Sequence, residues 1–105
     1  MSDAKEVAWS AEGDAATAHA RLVGEVDFSN SQDVREWLRK FCGSTAGEMT
    51  LDLSSLQYID SSGLAVLIEI RKLLKAAGRS IRIVAVSQQV HKLFSLTQIG
   101  ELFGI

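Results

Sequence analysis

The sequence predicts an α/β fold: a mixed β-sheet with an N-terminal β-hairpin and a parallel βαβ core, with helices packed on the sheet. Three observations point to it. Apolar residues alternate with polar ones at 15–23, 48–53 and 80–86, the period of a strand with one buried face. Val34, Trp37, Leu38 and Phe41 recur at i, i+3, i+4 and i+7, the apolar stripe of a helix. Between the second and third alternating segments lies a run of good helix formers from Leu64 to Ala77. Strand 48–53, helix 62–77 and strand 80–86 therefore form a βαβ unit, whose strands are expected to be parallel with a right-handed crossover.

The elements follow in the order β-β-α-β-α-β-α. Residues 1–5 are polar and expected to form a disordered tail, leaving 6–105 as one domain. Val7, Ala8 and Trp9 open a weak strand, and Glu12-Gly13-Asp14 signals a turn. The next strand sets Ala16, Ala18, Ala20 and Leu22 against Thr17, His19, Arg21 and Val23, which closes a hairpin. Gly24-Glu25-Val26-Asp27 breaks that alternation, and Ser29 with Gln32 has the spacing of a capping box for the first helix. Gly43 ends it. After strand 48–53, residues 54–59 are expected to be loop. Gly78 stops the long helix, Ser87 caps a last helix carrying Val90, Leu93 and Phe94, and a short terminal strand is expected through Leu102 and Phe103.

Composition narrows the function. The chain has 105 residues, 11 Lys plus Arg and 13 Asp plus Glu, for a net charge of −2, so no general attraction to nucleic acid or an anionic membrane is expected. The longest apolar run, Leu64 to Ile68, is far too short to span a bilayer, and the first residues lack a signal-peptide pattern. A lone cysteine, Cys42, excludes an internal disulfide and a multi-cysteine zinc site, and it is expected to be a buried apolar residue rather than a nucleophile. His19 and His91 have no metal-ligand spacing and are expected at the surface, with Trp9 and Trp37 as core or edge-of-core anchors. No metal and no cofactor are expected, and the cytoplasm is the expected compartment.

Asp60-Ser61-Ser62-Gly63 occupies the most informative position. It follows a parallel strand and opens a helix, and sites in open α/β sheets gather beyond the carboxyl ends of strands. A helix amino terminus presents unpaired N–H groups and partial positive charge, so a phosphate of about −1.5 to −2 on Ser61 or Ser62 could be carried there without unfolding the domain. The same four residues also make an ordinary helix cap, and the two readings are compatible.

These stretches together resemble the STAS domain, and within it the single-domain anti-sigma factor antagonists. Gly24-Glu25-Val26-Asp27 is similar to the family's Gly-Glu-Leu-Asp turn. Leu51-Asp52-Leu53 with Tyr58-Ile59-Asp60-Ser61-Ser62-Gly63-Leu64 is similar to its central strand and phosphorylation loop. Ile83 to Ser87 resembles its last parallel strand and cap, and Val90, Leu93 and Phe94 resemble its next apolar helix face. The resemblance implies a STAS-type sandwich and a non-enzymatic partner switch. The unphosphorylated form binds an anti-sigma factor that is itself a serine kinase of histidine-kinase-like ATPase fold, and frees its client. Phosphorylation on Ser61 (Ser62 as the alternative) releases the kinase, and a PP2C-type serine phosphatase resets the switch. The implied interface is Glu25, Asp27, Asp60, Ser61, Ser62, Gly63 and Leu64, with Gly63 admitting the partner backbone. Two departures stand out. Ala65 replaces a common glycine, and the chain stops at Ile105 where the family continues into a strand and helix, so an apolar patch and a weak homodimer beside the monomer are further expectations.

Two other functions fit part of the pattern. A non-phosphorylated STAS scaffold in a lipid- or anion-transport complex would need no reactive serine at this place. A serine hydrolase would place Ser61 on a strand-to-helix elbow, but the glycine on its amino side and a His/Asp arrangement are missing. Charge is also polarised: residues 1–30 carry two basic and six acidic groups, and residues 69–92 six basic and one acidic. The basic stretch is expected to be a solvated face.

Overall fold

A computed structural model describes residues 8–105. The elements are β1 (Trp9–Asp14), β2 (His19–Val26), α1 (Ser31–Gly43), β3 (Met49–Ile59), α2 (Ser61–Ala76), β4 (Ile81–Val86) and α3 (Gln88–Thr97), followed by a 3-10 helix at Ile99–Phe103. The sheet order is β1-β2-β3-β4. β1 and β2 pair antiparallel, and β2, β3 and β4 run parallel. The fold is thus the expected mixed sheet, with two consecutive βαβ units, β2–α1–β3 and β3–α2–β4, where the sequence pattern identified the second. The expected frayed tail, and Val7 of the first strand, lie outside the described residues.

One face of the sheet carries the core. Ala20, Leu22, Met49, Leu51, Leu53, Leu56, Ile59, Ile81 and Ile83 are buried in a single cluster with Val34, Leu38 and Phe41 of α1, Leu64, Leu67, Ile70 and Leu74 of α2, and Val90 and Phe94 of α3. Burying side chains of this size contributes about 1.5–3 kcal/mol each. Trp37 stacks on Phe41 at 5.2 Å between centroids, as expected of an edge-of-core anchor. Arg35 Nε lies 2.6 Å from Glu69 Oε2 and ties α1 to α2. The opposite sheet face is polar: His19 Nδ1 and Thr50 Oγ1 are 2.7 Å apart, and Arg21 bonds to Ser55.

Four local expectations differ from the structure. Glu12-Gly13-Asp14 is not the turn but the end of β1, and the turn is 15–18, so Ala16 is exposed. Asp14 Oδ1 accepts from Ala16 N at 3.0 Å and shapes that turn, while Gly13 pairs with Ala20 within the strand, at a place where the Phe41 ring occupies the space a Cβ would need. Gly24 does not end β2. It adopts φ +96° at a register shift, and pairing continues to Val26↔Ile59. Residues 54–59 are not loop but the second half of β3. The alternation fails at Ser54-Ser55, which hides the strand, yet Leu56 and Ile59 return to the core. The expected terminal strand is the 3-10 helix, whose Phe103 is fully buried and stacks on Phe94 at 6.5 Å. Among the described residues no helix is long and apolar enough to cross a membrane.

Candidate functional site at the carboxyl ends of the parallel strands

β2, β3 and β4 end at Val26, Ile59 and Val86, and the residues that follow them share one edge of the sheet. The loop after β2 is folded by its own side chains. Ser29 N and Ser29 Oγ donate to Asp27 Oδ1 at 2.8 and 2.5 Å, Asp27 N donates to Asn30 Oδ1 at 3.0 Å, and Asn30 Nδ2 donates to the Glu25 carbonyl at 2.9 Å. The capping box expected from Ser29 and Gln32 is therefore replaced: Asn30 is the N-cap residue, and Ser29 is turned back onto Asp27.

Asp60 joins that loop to α2. It sits in extended backbone conformation at the N-cap, and its Oδ1 accepts from Gly63 N at 3.1 Å. Its Oδ2 accepts from Phe28 N at 3.1 Å, and Asp60 N donates to the Val26 carbonyl at 3.1 Å. Capping is thus done by the aspartate, and the serine after it is left outward. Ser61 is exposed and Ser62 half-buried. Glu25 is exposed, and Asp27 and Asp60 are half-buried. Asp33 in the first turn of α1 adds a fourth carboxylate to this end of the molecule.

Gly63 and Leu64 face inward. A Cβ on Gly63 would lie 2.5 Å from Ile59 Cγ1 and 2.9 Å from Val26 Cγ1. This glycine therefore permits a close approach within the chain, between α2 and the ends of β2 and β3, where the resemblance implied the approach of a partner backbone. Leu64 is 6% exposed. It lines an open groove of about 380 Å³ together with Tyr58, Asp60, Ser61, Val90 and Leu93. The hydroxyl of Ser61 thus stands beside a largely apolar groove between α2 and α3.

The sequence pattern did not single out three contributors to this surface. Tyr58, half exposed, falls in the second half of β3, where the broken alternation reads as loop. Leu93 was assigned to the core face of α3 and serves the groove as well. Phe28, 78% exposed on the loop after β2 and outside the groove lining, belongs to no apolar period, and that mismatch is the available signal.

A model of the STAS domain matches residues 8–105. This chain belongs to the STAS domain family. The anti-sigma F factor antagonist of Paenibacillus polymyxa is 31% identical over 86 residues, covering 81% of this chain and 74% of that protein. The anti-sigma-B factor antagonist of Bacillus subtilis (strain 168) is 27% identical over 84 residues, covering 80% and 76%. In three dimensions, an anti-sigma factor antagonist from Mycobacterium paratuberculosis superposes with a TM-score of 0.79 at 16% identity, covering 92% of this chain and 84% of that one. The anti-sigma factor antagonist SpoIIAA in its unphosphorylated form gives 0.71 at 18% identity, covering 90% and 84%. These superpositions establish the shared fold.

Other reactive groups of this STAS domain lie elsewhere. His19 opens β2, at the far end of the strand from the site, and His91 lines a separate cavity with Phe94 and Glu101. Neither lies in the groove beside Ser61, so no triad of the hydrolase kind is assembled there. Cys42 is buried, and burial pushes its thiol pKa up against a smaller opposing pull from Arg79. Burial also acts to raise the Asp52 pKa, but bonds from the Ser54 hydroxyl and N–H, with Arg21 and His19 nearby, together bring it below the ordinary range. Asp52 is on the polar sheet face, within β3 and away from its carboxyl end. No group of three or more metal-ligating side chains is found among the described residues.

Proposed function

We propose that this STAS domain is an anti-sigma factor antagonist of a partner-switching pathway, a cytoplasmic binding module rather than an enzyme. Its unphosphorylated form docks an anti-sigma factor that is also a serine kinase, through Glu25, Asp27, Asp60, Ser61 and the groove that Leu64 lines. The kinase phosphorylates Ser61 and lets go, and a PP2C-type serine phosphatase restores binding. The observation that carries this reading is the division of labour at the start of α2. Asp60 makes the cap, so Ser61 is exposed at the edge of a docking groove and its hydroxyl is not needed to hold the helix.

The switch is electrostatic. A seryl hydroxyl is readily buried at an interface with its hydrogen bonds satisfied. A phosphoserine adds about −1.5 to −2 charges next to Asp60, whose carboxylate is bonded to the loop that carries Asp27. Desolvating an uncompensated charge costs several kcal/mol, and each ~1.4 kcal/mol is tenfold in affinity, so a loss of two orders of magnitude is expected. The unmodified amide groups at the start of α2 tolerate the anion, so the domain stays folded while the partner is lost. Ser62, half-buried, is the poorer acceptor.

The test uses purified chain and the ATPase-type anti-sigma serine kinases encoded in the same genome. One kinase is expected to add a single phosphate, mapped to Ser61 by mass spectrometry. The unmodified chain and Ser61→Ala should bind that kinase, and the phosphorylated chain and Ser61→Asp should bind at least about 100-fold more weakly. Phosphate on another residue, or equal binding of Ser61→Asp and the unmodified chain, refutes the mechanism.

A further inference from the structure

Phe28 is 78% exposed, as open to solvent as any large apolar side chain described. Its backbone is nevertheless pinned. Phe28 N donates to Asp60 Oδ2, and its neighbours on both sides are held by the bonds among Glu25, Asp27, Ser29 and Asn30. A phenyl ring has two side-chain torsions, so fixing it on docking costs little entropy, and a loop already fixed adds little more. Aromatic anchors on ordered backbone, surrounded by polar groups, are the residues that concentrate binding energy in protein interfaces. Carboxylates supply the surroundings here: Asp27 and Asp60 are bonded into the loop through their side chains, Glu25 is tied to it through its backbone carbonyl, and Asp33 lies in the first turn of α1.

We propose that Phe28 is the apolar anchor of the docking surface, held in position by Asp60, and that it enters an apolar pocket rimmed by lysine or arginine side chains on the partner. The inference rests on the proposed function and names the partner chemistry it requires. A second copy of this chain fits poorly, because a two-fold pairing through this patch would set the acidic rims of both copies against each other. Asp60 acquires a second task, as a positioning residue for Phe28 in addition to capping α2. One carboxylate thereby fixes both the anchor and the start of the helix that carries Ser61.

The test takes the full chain and the kinase that phosphorylates Ser61, and measures Kd for wild type, Phe28→Ser and Leu96→Ser. Leu96 is 77% exposed on α3, outside the loop that Asp27, Asn30 and Asp60 hold, so it controls for loss of any exposed apolar side chain. Phe28→Ser is expected to weaken binding by about 30-fold or more, while Leu96→Ser stays within about twofold. Thermal melting of both variants should match wild type, because neither side chain is in the core. Wild-type association should slow as salt is raised, in keeping with a basic rim facing carboxylates. A loss under about fivefold for Phe28→Ser, with wild type bound and phosphorylated, overturns the anchor and leaves the proposed function standing. Failure of any such kinase to bind wild type overturns both. Salt-independent association, or a Phe28-dependent dimer in sedimentation of the chain alone, overturns the assignment of the partner surface.

Discussion

Two helices of this molecule begin in the same way and to different ends. α2 follows β3 and α3 follows β4, each through a single extended residue, Asp60 or Ser87. In both, the side chain of that residue accepts from the N–H three positions on: Gly63 N to Asp60 Oδ1 at 3.1 Å, and Val90 N to Ser87 Oγ at 3.3 Å. At α3 the serine is itself the cap, and its hydroxyl also donates to the Leu56 carbonyl at 2.6 Å. At α2 an aspartate does that work, and the serine is displaced by one residue into solvent. A hydroxyl consumed in capping is a structural part, and one relieved of capping is available for chemistry. The difference also appears in the third helical position, where α3 buries Val90 and α2 carries a glycine pressed onto Val26 and Ile59.

The largest effect expected from breaking this comparison is at Gly63. Gly63→Ala inserts a methyl group 2.5 Å from Ile59 Cγ1 and 2.9 Å from Val26 Cγ1, and both side chains are buried in the core. Overpacking of this kind costs about 1–3 kcal/mol, visible as a lower urea midpoint at constant slope. The strain pushes the start of α2 away from the sheet, so phosphate acceptance at Ser61 should change along with stability. Unchanged stability would mean that α2 is not seated on the strand ends as described.

Next in size is Ser87. Ser87→Ala removes the acceptor for Val90 N and the donor to Leu56 O, and loss of an N-cap serine costs about 1 kcal/mol. Ser87→Asp keeps the acceptor and should recover part of that loss. Chemical denaturation of the two variants gives the ranking, and a neutral Ser87→Ala would remove the contrast between the two serines.

Much of this arrangement was legible in the residues. The helix starts within Asp60-Ser61-Ser62-Gly63 and at Ser87 were readable because capping uses a short list of side chains at fixed offsets, and the strands at 48–53 and 80–86 because a half-buried strand must alternate. What escaped was decided by long-range packing. Gly13 looks like a turn residue until Phe41 of α1 is placed over it, and Gly24 looks like a break until the register shift beside β3 is seen. The second half of β3 was lost because Ser54 and Ser55 interrupt the period at the point where pairing shifts. The resemblance named Glu25, Asp27, Asp60 and Ser61 as candidate site residues, and their shared place beyond the strand ends was legible from their order along the chain. The inward direction of Gly63 was not, because a glycine's neighbours are set by the helix and sheet that meet there.

The smallest expected effect is the most discriminating for the comparison. Ser61→Ala should change stability by no more than about 0.5 kcal/mol, the usual range for an exposed position away from caps and core. Alanine at the first position of α2 keeps the Asp60 cap, its bond to Gly63 N and its tether to Phe28. Two serines, one residue past a cap and at a cap, should then differ by roughly a factor of two or more in folding free energy on truncation, with the order opposite to their effects on the switch. Ser61→Ala should abolish phosphate acceptance while melting like wild type, and Ser87→Ala should accept phosphate while melting earlier. If Ser61→Ala is instead as damaging to stability as Ser87→Ala, its hydroxyl is part of the helix cap after all, and a phosphate placed there would act by unfolding the start of α2 rather than by repelling a partner.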